Sequence, residues 1–150
     1  MPIRERLQQR RFPTLADEAV VGLLVAAEHF TQAVLPIWER HGITADQYNV
    51  LRILRGVHPG GHPRHEIGRR MIHRAPDVTR MLDRLAAQGL VRRIRNPEDR
   101  RESVATITAA GIALLARVDP DVHAAQRSFT ASLTAPDLRR LVRLCDALVP

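Results

Sequence analysis

The 150-residue chain has no lysine, a single cysteine, five aromatic residues and no uninterrupted run of eighteen apolar residues. Cys145 alone cannot form an intramolecular disulfide or a multi-cysteine zinc site, in keeping with a reducing compartment. Phe12, Phe30, Trp38, Tyr48 and Phe129 are too few for the stacking platforms that hold single strands and most RNA, so duplex partners are favoured. The missing apolar run argues against a membrane span. The N-terminal Met1-Pro2-Ile3-Arg4-Glu5-Arg6 lacks the apolar core and small-residue cleavage site of a secretory signal. The expectation is a cytoplasmic protein, with no membrane partner, that stands on its apolar core. A length of 150 residues, 45% of them hydrophobic and 26% charged, fits one domain and argues against a multi-domain enzyme.

Catalytic and cofactor signatures are also missing. No G-x-S-x-G, P-loop or dinucleotide fingerprint occurs, and His65-Glu66-Ile67-Gly68-Arg69 begins like H-E-x-x-H but ends in arginine, without the second imidazole. His58, His62 and His65 cluster among Pro59, Gly60, Gly61 and Pro63, where loop histidines are commonly just solvated; a divalent metal is the lesser reading. No enzyme activity, cofactor or metal is expected.

What is present is arginine. All 23 basic residues are Arg against 16 acids, a net charge of +7. A GC-rich genome accounts for part of the choice of Arg over Lys, but not for its placement. Residues 62–102 hold eleven Arg and six acids, a net of +5, whereas residues 1–40 balance at five and five. Guanidinium groups suit bidentate phosphate and guanine contacts, so the basic stretch reads as a nucleic-acid footprint.

Apolar residues from Leu15 to Trp38 recur at three and four, predicting a long amphipathic helix over residues 14–41 interrupted by Pro36. Thr44-Ala45-Asp46-Gln47 has the form of a capping box and opens a helix over 45–55. A short helix over 63–71 follows, with Ile67 and Met71 as its apolar pair. In the next helix Pro76 suits the first position and Val78, Met81, Leu82 and Leu85 form an inner stripe, with Arg80 and Arg84 opposite. Gly89 ends it. Residues 90–95 and 103–107 then read as strands around an Asn96-Pro97-Glu98-Asp99 turn. Helix, turn, helix and hairpin make a winged helix. A further helix from Thr108 is expected to bend or break near Pro120, and Thr134 to Asp137 cap a last one carrying Leu138, Leu141, Leu144, Cys145 and Leu148. With no third layer to cover the stripes of the first and last helices, burial against a second copy is expected, Cys145 becoming a buried, inert thiol.

Val78-Thr79-Arg80-Met81-Leu82-Asp83-Arg84-Leu85 with Gly89-Leu90-Val91, followed by Asp99-Arg100-Arg101 and Ile107-Thr108-Ala109-Ala110-Gly111, resembles the MarR family of bacterial winged-helix regulators over residues 14–149. The resemblance implies a mainly α fold with a small β-hairpin wing. It also implies a single domain, with dimerisation helices over 14–41 and 109–149 and a DNA-binding lobe over 44–108. Function by resemblance is a homodimer reading a pseudo-palindromic duplex, as a repressor relieved by a small aromatic or anionic effector. The alternatives are a winged-helix module for RNA or a protein, and a metal or redox sensor working through the histidines or Cys145. Ile72 and Arg74 stand where the family usually has glycine and Ser or Thr. A β-branched residue resists positive φ, so this turn is expected to be built differently.

Within this frame Arg80 is the reader of base edges. Pro76, Asp77 and Thr79 occupy positions that face the bases by resemblance, although for Asp77 the helix cap is the favoured reading. Arg74 and Arg84 suit phosphate contacts. In the wing, Asp99 orients Arg100 or Arg101 while Arg101 reaches the minor groove. Trp38, His41 and Tyr48, where the first two helices meet, either line an effector cleft or pack that junction.

Overall fold

A computed structural model describes residues 3–9, 11–74, 77–95 and 103–149. Among the described residues are seven α-helices, α1 (Ile3–Arg6), α2 (Leu15–His41), α3 (Ala45–Arg55), α4 (Arg64–Arg70), α5 (Val78–Ala87), α6 (Ala109–Phe129) and α7 (Ala135–Leu148). Three strands, β1 (His62–Pro63), β2 (Val91–Arg95) and β3 (Ser103–Ile107), form one antiparallel sheet in the order β1-β3-β2. The chain divides into two compact units, residues 37–121 and residues 1–36 with 122–150.

In the first unit α3 starts as its sequence dictates. Thr44 Oγ1 accepts from the Gln47 amide at 3.1 Å while Gln47 Oε1 accepts from the Thr44 amide at 2.9 Å, closing the capping box. The core is apolar and fully buried at Val50, Leu51, Leu54, Ile67, Leu82, Leu85, Leu115 and Val118, supplied by α3, α4, α5 and α6. Burial of this kind contributes about 25 cal/mol per Å² of apolar surface and is what holds α4 and α5, both short, in place. β2 and β3 pair from Val91↔Ile107 to Arg95↔Ser103. β1 adds a third strand beyond the expected hairpin, pairing His62 with Ala105 and Pro63 with Val104. Gly61 permits this approach, because a Cβ there would fall on the Ala105 carbonyl oxygen and within 2.7 Å of Thr106 Cγ2.

Neither proline breaks its helix, which corrects the interruption expected at Pro36 and the break expected near Pro120. α2 runs through Pro36 and α6 through Pro120 without interruption. Each proline removes one amide from a helix of 27 or 21 residues, and the rest of the ladder carries the helix past it.

In the second unit the unexpected α1 is tied to α2 by Arg4 Nε donating to Glu18 Oε1 at 2.6 Å. Phe30 and Phe129 rings meet at 5.1 Å, with His29 6.1 Å from the same ring. α7 begins at a second capping box, Thr134 with Asp137, yet among its described residues none is buried. Leu141, Val142, Leu144 and Leu148 all face solvent in the single chain, as do Leu15, Val20, Leu23, Leu24 and Leu35 of α2. Cys145 is likewise exposed in the single chain, on the stripe expected to be covered by a second copy. By length and composition alone α2 could cross a membrane, a property that a search for unbroken apolar runs misses.

Candidate nucleic-acid interface

α5 is built to show one face. Leu82 and Leu85 are buried and Val78 and Met81 half-buried, so the 3.6-residue period carries Arg80 and Arg84 to the solvent side together. Among the described residues α5 begins at Val78 with Asp77 as its cap, Oδ1 accepting from the Arg80 amide at 2.9 Å. Pro76 itself lies outside the described residues, as do Asp99, Arg100, Arg101 and the wing turn.

The turn into α5 dispenses with glycine. Met71 is extended at φ −69° and ψ 142°, and the Ile72 amide donates to Asn49 Oδ1 of α3 at 2.8 Å. His73 Nδ1 sits 3.0 Å from Asp46 Oδ1, also on α3. One α3 side chain, Asn49, therefore holds the backbone of this glycine-free turn, and a second, Asp46, holds a side chain within it. Arg74 follows, exposed, in the same turn. Asp46, Asp77, Arg80 and Arg84 line one open cleft of about 330 Å³ between the start of α3 and α5.

Thr79 is held at both of its oxygens. Arg64 Nη1 donates to its hydroxyl at 3.1 Å, and Arg93 Nη2 of β2 approaches its carbonyl at 3.4 Å. Arg93 Nη1 also lies 3.2 Å from Asp83 Oδ1. Arg92 and Arg95 flank Arg93 on the exposed strand. Arg64, Arg93, Asn49 and Asp46 are not among the residues that sequence reasoning singles out, since each acts across elements; only the excess of arginine hints at Arg64 and Arg93.

The chain that carries this short helix with two outward arginines beside an arginine-bearing hairpin is similar in sequence and fold to known proteins. The MarR family model matches residues 43–103. The crystal structure of the MarR transcription factor from Planctomyces limnophilus is 36% identical, with 91% of this chain and 99% of that one covered at a TM-score of 0.69. The chain belongs to the MarR family. Homoprotocatechuate degradative operon repressor of Escherichia coli is 29% identical over 133 residues, 89% of this chain and 88% of its own length. The HTH-type transcriptional regulator MhqR of Bacillus subtilis is 36% identical over 87 residues, 58% of each chain. As a MarR-family member the protein is a DNA-binding transcriptional regulator, with α4 and α5 as its helix-turn-helix and β2 and β3 as the wing strands.

Of the three residues expected to meet an effector, Trp38 and Tyr48 meet where α2 and α3 adjoin, while His41 turns to Asp121, all within residues 37–121. Trp38 and Tyr48 rings stand 5.1 Å apart, and the Arg52 guanidinium lies 5.7 Å from the Tyr48 ring centre. His41 Nε2 is 2.8 Å from Asp121 Oδ2, which also accepts from Arg40 at 3.0 Å. The hydrogen bond from His41, with Arg40 beside it, holds the Asp121 carboxyl below the usual carboxylate range. Burial, then the hydrogen bond to Asp119, pushes the Tyr48 phenol up to about 12. Among the described residues no group of three or more His, Cys, Asp or Glu side chains is placed to hold a metal ion. His62 Nε2 is buried with no hydrogen-bond partner, and burial, then nearby Arg70, lowers the pKa of the imidazole.

Proposed function

We propose that the chain is a homodimeric repressor of a pseudo-palindromic operator, relieved by a small aromatic or otherwise apolar anion. The observation that carries the reading is α5: its inner stripe is buried and its outer face offers Arg80 and Arg84 free of the core. On this reading Arg80 bridges guanine O6 and N7 in the major groove, Pro76, Asp77 and Thr79 lie along the base edges, and Arg74 and Arg84 grip phosphates. Asp99 orients Arg100 or Arg101, and Arg101 enters the adjacent minor groove.

The exposed leucines of α2 and α7 support a two-fold partner, with a second copy rather than lipid covering them in a cytoplasmic protein. Repression is supported by the relative whose name is a degradative operon repressor. The effector site is assigned to Trp38, His41 and Tyr48, whose paired rings suit an aromatic body and whose neighbours Arg52 and Arg40 suit an anion.

Selection of bound duplexes from a random pool tests the reading. The expected product is a pseudo-palindrome with half-sites about 10 to 11 base pairs apart, since two-fold-related helices must meet successive major grooves on one face. Selection of single sites, or of no duplex at all, overturns it.

A further inference from the structure

We propose that Arg93 is a positioning residue for DNA reading, a strut from the wing strand β2 that sets the angle of α5, with Asp83 as its seat. The proposal rests on the assignment of α5 as the reading helix.

Arg93 differs in its commitments from Arg80 and Arg84. Arg80 and Arg84 point their side chains outward, whereas Arg93 divides its guanidinium between Asp83 Oδ1 at 3.2 Å and the Thr79 carbonyl at 3.4 Å. Thr79 and Asp83 lie one turn apart on α5, so one planar group spans a full turn of the helix along the flank next to the outward face. The strand end of the strut is itself fixed. Arg93 pairs with Ala105 in the middle of the β2–β3 ladder, and neighbouring Val91 on the same strand face is buried. From the other side Arg64, the first residue of α4, holds the Thr79 hydroxyl at 3.1 Å. The first turn of α5 is thus braced against the wing and against the preceding helix at once.

A rotation of a reading helix by a few degrees displaces its outward side chains enough to lose a bidentate contact, while phosphate grip survives on flexible stems. The strut therefore bears on selectivity more than on affinity. It also bears little on folding, because Arg93 and Asp83 are both partly exposed and such ion pairs contribute little to stability.

The test compares the parent with Asp83→Asn, Arg93→Gln, Arg93→Lys and the double variant Asp83→Asn/Arg93→Gln. Each is titrated at fixed salt with the selected duplex and with a scrambled duplex of equal length. The ratio of the two affinities is expected to fall about fivefold to tenfold in both single Asn and Gln variants, with unchanged melting temperature. Asp83→Asn should bind the scrambled duplex as tightly as the parent or more so, since it removes a negative charge. Arg93→Lys should not restore the ratio, because a point charge cannot reach both acceptors, and the double variant should match the singles. An unchanged ratio in Asp83→Asn overturns the strut. So does an equal loss on both duplexes in Arg93→Gln with the salt slope reduced by about one, the mark of a phosphate ligand. If the parent selects no duplex, the DNA-reading assignment has failed. Hydrogen exchange in the free protein then decides the strut: faster exchange of α5 amides in Asp83→Asn supports it, and unchanged exchange overturns it.

Discussion

Tyr48 and Asp119, 71 residues apart in the chain, share a hydrogen bond of 2.8 Å, and Arg55 takes the second oxygen of the same carboxylate at 2.6 Å. α3 is thereby joined to α6 at the level of Pro120 by a neutral donor and a cationic one. The phenol must stay protonated to donate, and its pKa stands near 12 against an ordinary 10. A raised pKa in the folded state means that the linked stability is fully present below pH 10 and is lost as pH climbs through about 12. The loss should be on the order of 3 kcal/mol at most, since each tenfold change in an ionisation equilibrium corresponds to about 1.4 kcal/mol.

Tyr48 is the only tyrosine, so its titration can be followed directly by phenolate absorbance. Denaturant unfolding across the alkaline range should show the decline in the parent, and Tyr48→Phe should lack it. A phenol titrating at its ordinary value would remove the basis for this prediction.

Much of the fold is legible from local rules. The capping boxes at Thr44 and Thr134, the Ile67 and Met71 pair, the inner stripe of α5 and strand β3 all follow from spacing within a few residues, and each is found in place. Two-residue β1 is not legible because nothing local makes it a strand; it exists only through its pairing with Ala105 and Val104. Gly60-Gly61 is the available hint, since close backbone approach is a reason for glycine in such a place. At the site, Arg80 and Arg84 are legible from helical period. Arg93 with Asp83, Arg64 with Thr79 and Asn49 with the Ile72 amide are not, because contacts across 10 to 23 residues are decided by packing.

Gly111 offers a test of how tightly α6 abuts the end of α5. A Cβ at this position would fall on the Leu90 carbonyl oxygen and within 2.7 Å of Ile107 Cγ1. That carbonyl already accepts from the Thr108 amide at 3.1 Å. Alanine is ordinarily favoured over glycine in a helix by about 1 kcal/mol, but overpacking against backbone costs roughly 1 to 3 kcal/mol. Gly111→Ala should therefore lower the urea midpoint. An increase would show that the junction gives way freely.

The apolar faces of α2 and α7 should behave as an interface. Leu24 is 63% exposed and Leu144 55% in the single chain. Leu24→Glu with Leu144→Glu places charges where a second copy would desolvate them, a strongly unfavourable burial. Sedimentation at micromolar concentration should give a dimer for the parent and a monomer for the double variant, with operator affinity lost alongside. A monomeric parent that still bound single sites tightly would remove the interface assignment.

Arg80 and Arg84 occupy successive turns of the same exposed face, yet they should fail differently. Arg80 lies in the first turn of α5, the end that enters a major groove in helix-turn-helix proteins, and its backbone amide is fixed by the Asp77 cap at 2.9 Å. Arg84 lies one turn further along, where the proposed docking would bring it nearer the phosphates that rim the groove. Arg80→Ala should cost about 1 to 3 kcal/mol per half-site on the selected duplex and relax base preference at one position. Arg84→Ala should weaken selected and scrambled duplexes alike and lower the salt slope by about one per subunit. Duplex selection repeated with each variant, together with titrations at several salt concentrations, separates the two effects. If both variants kept the parent's base preference, Arg80 would not be a reader, and the glycine-free turn held by Asn49 would be the first place to look for a reoriented helix.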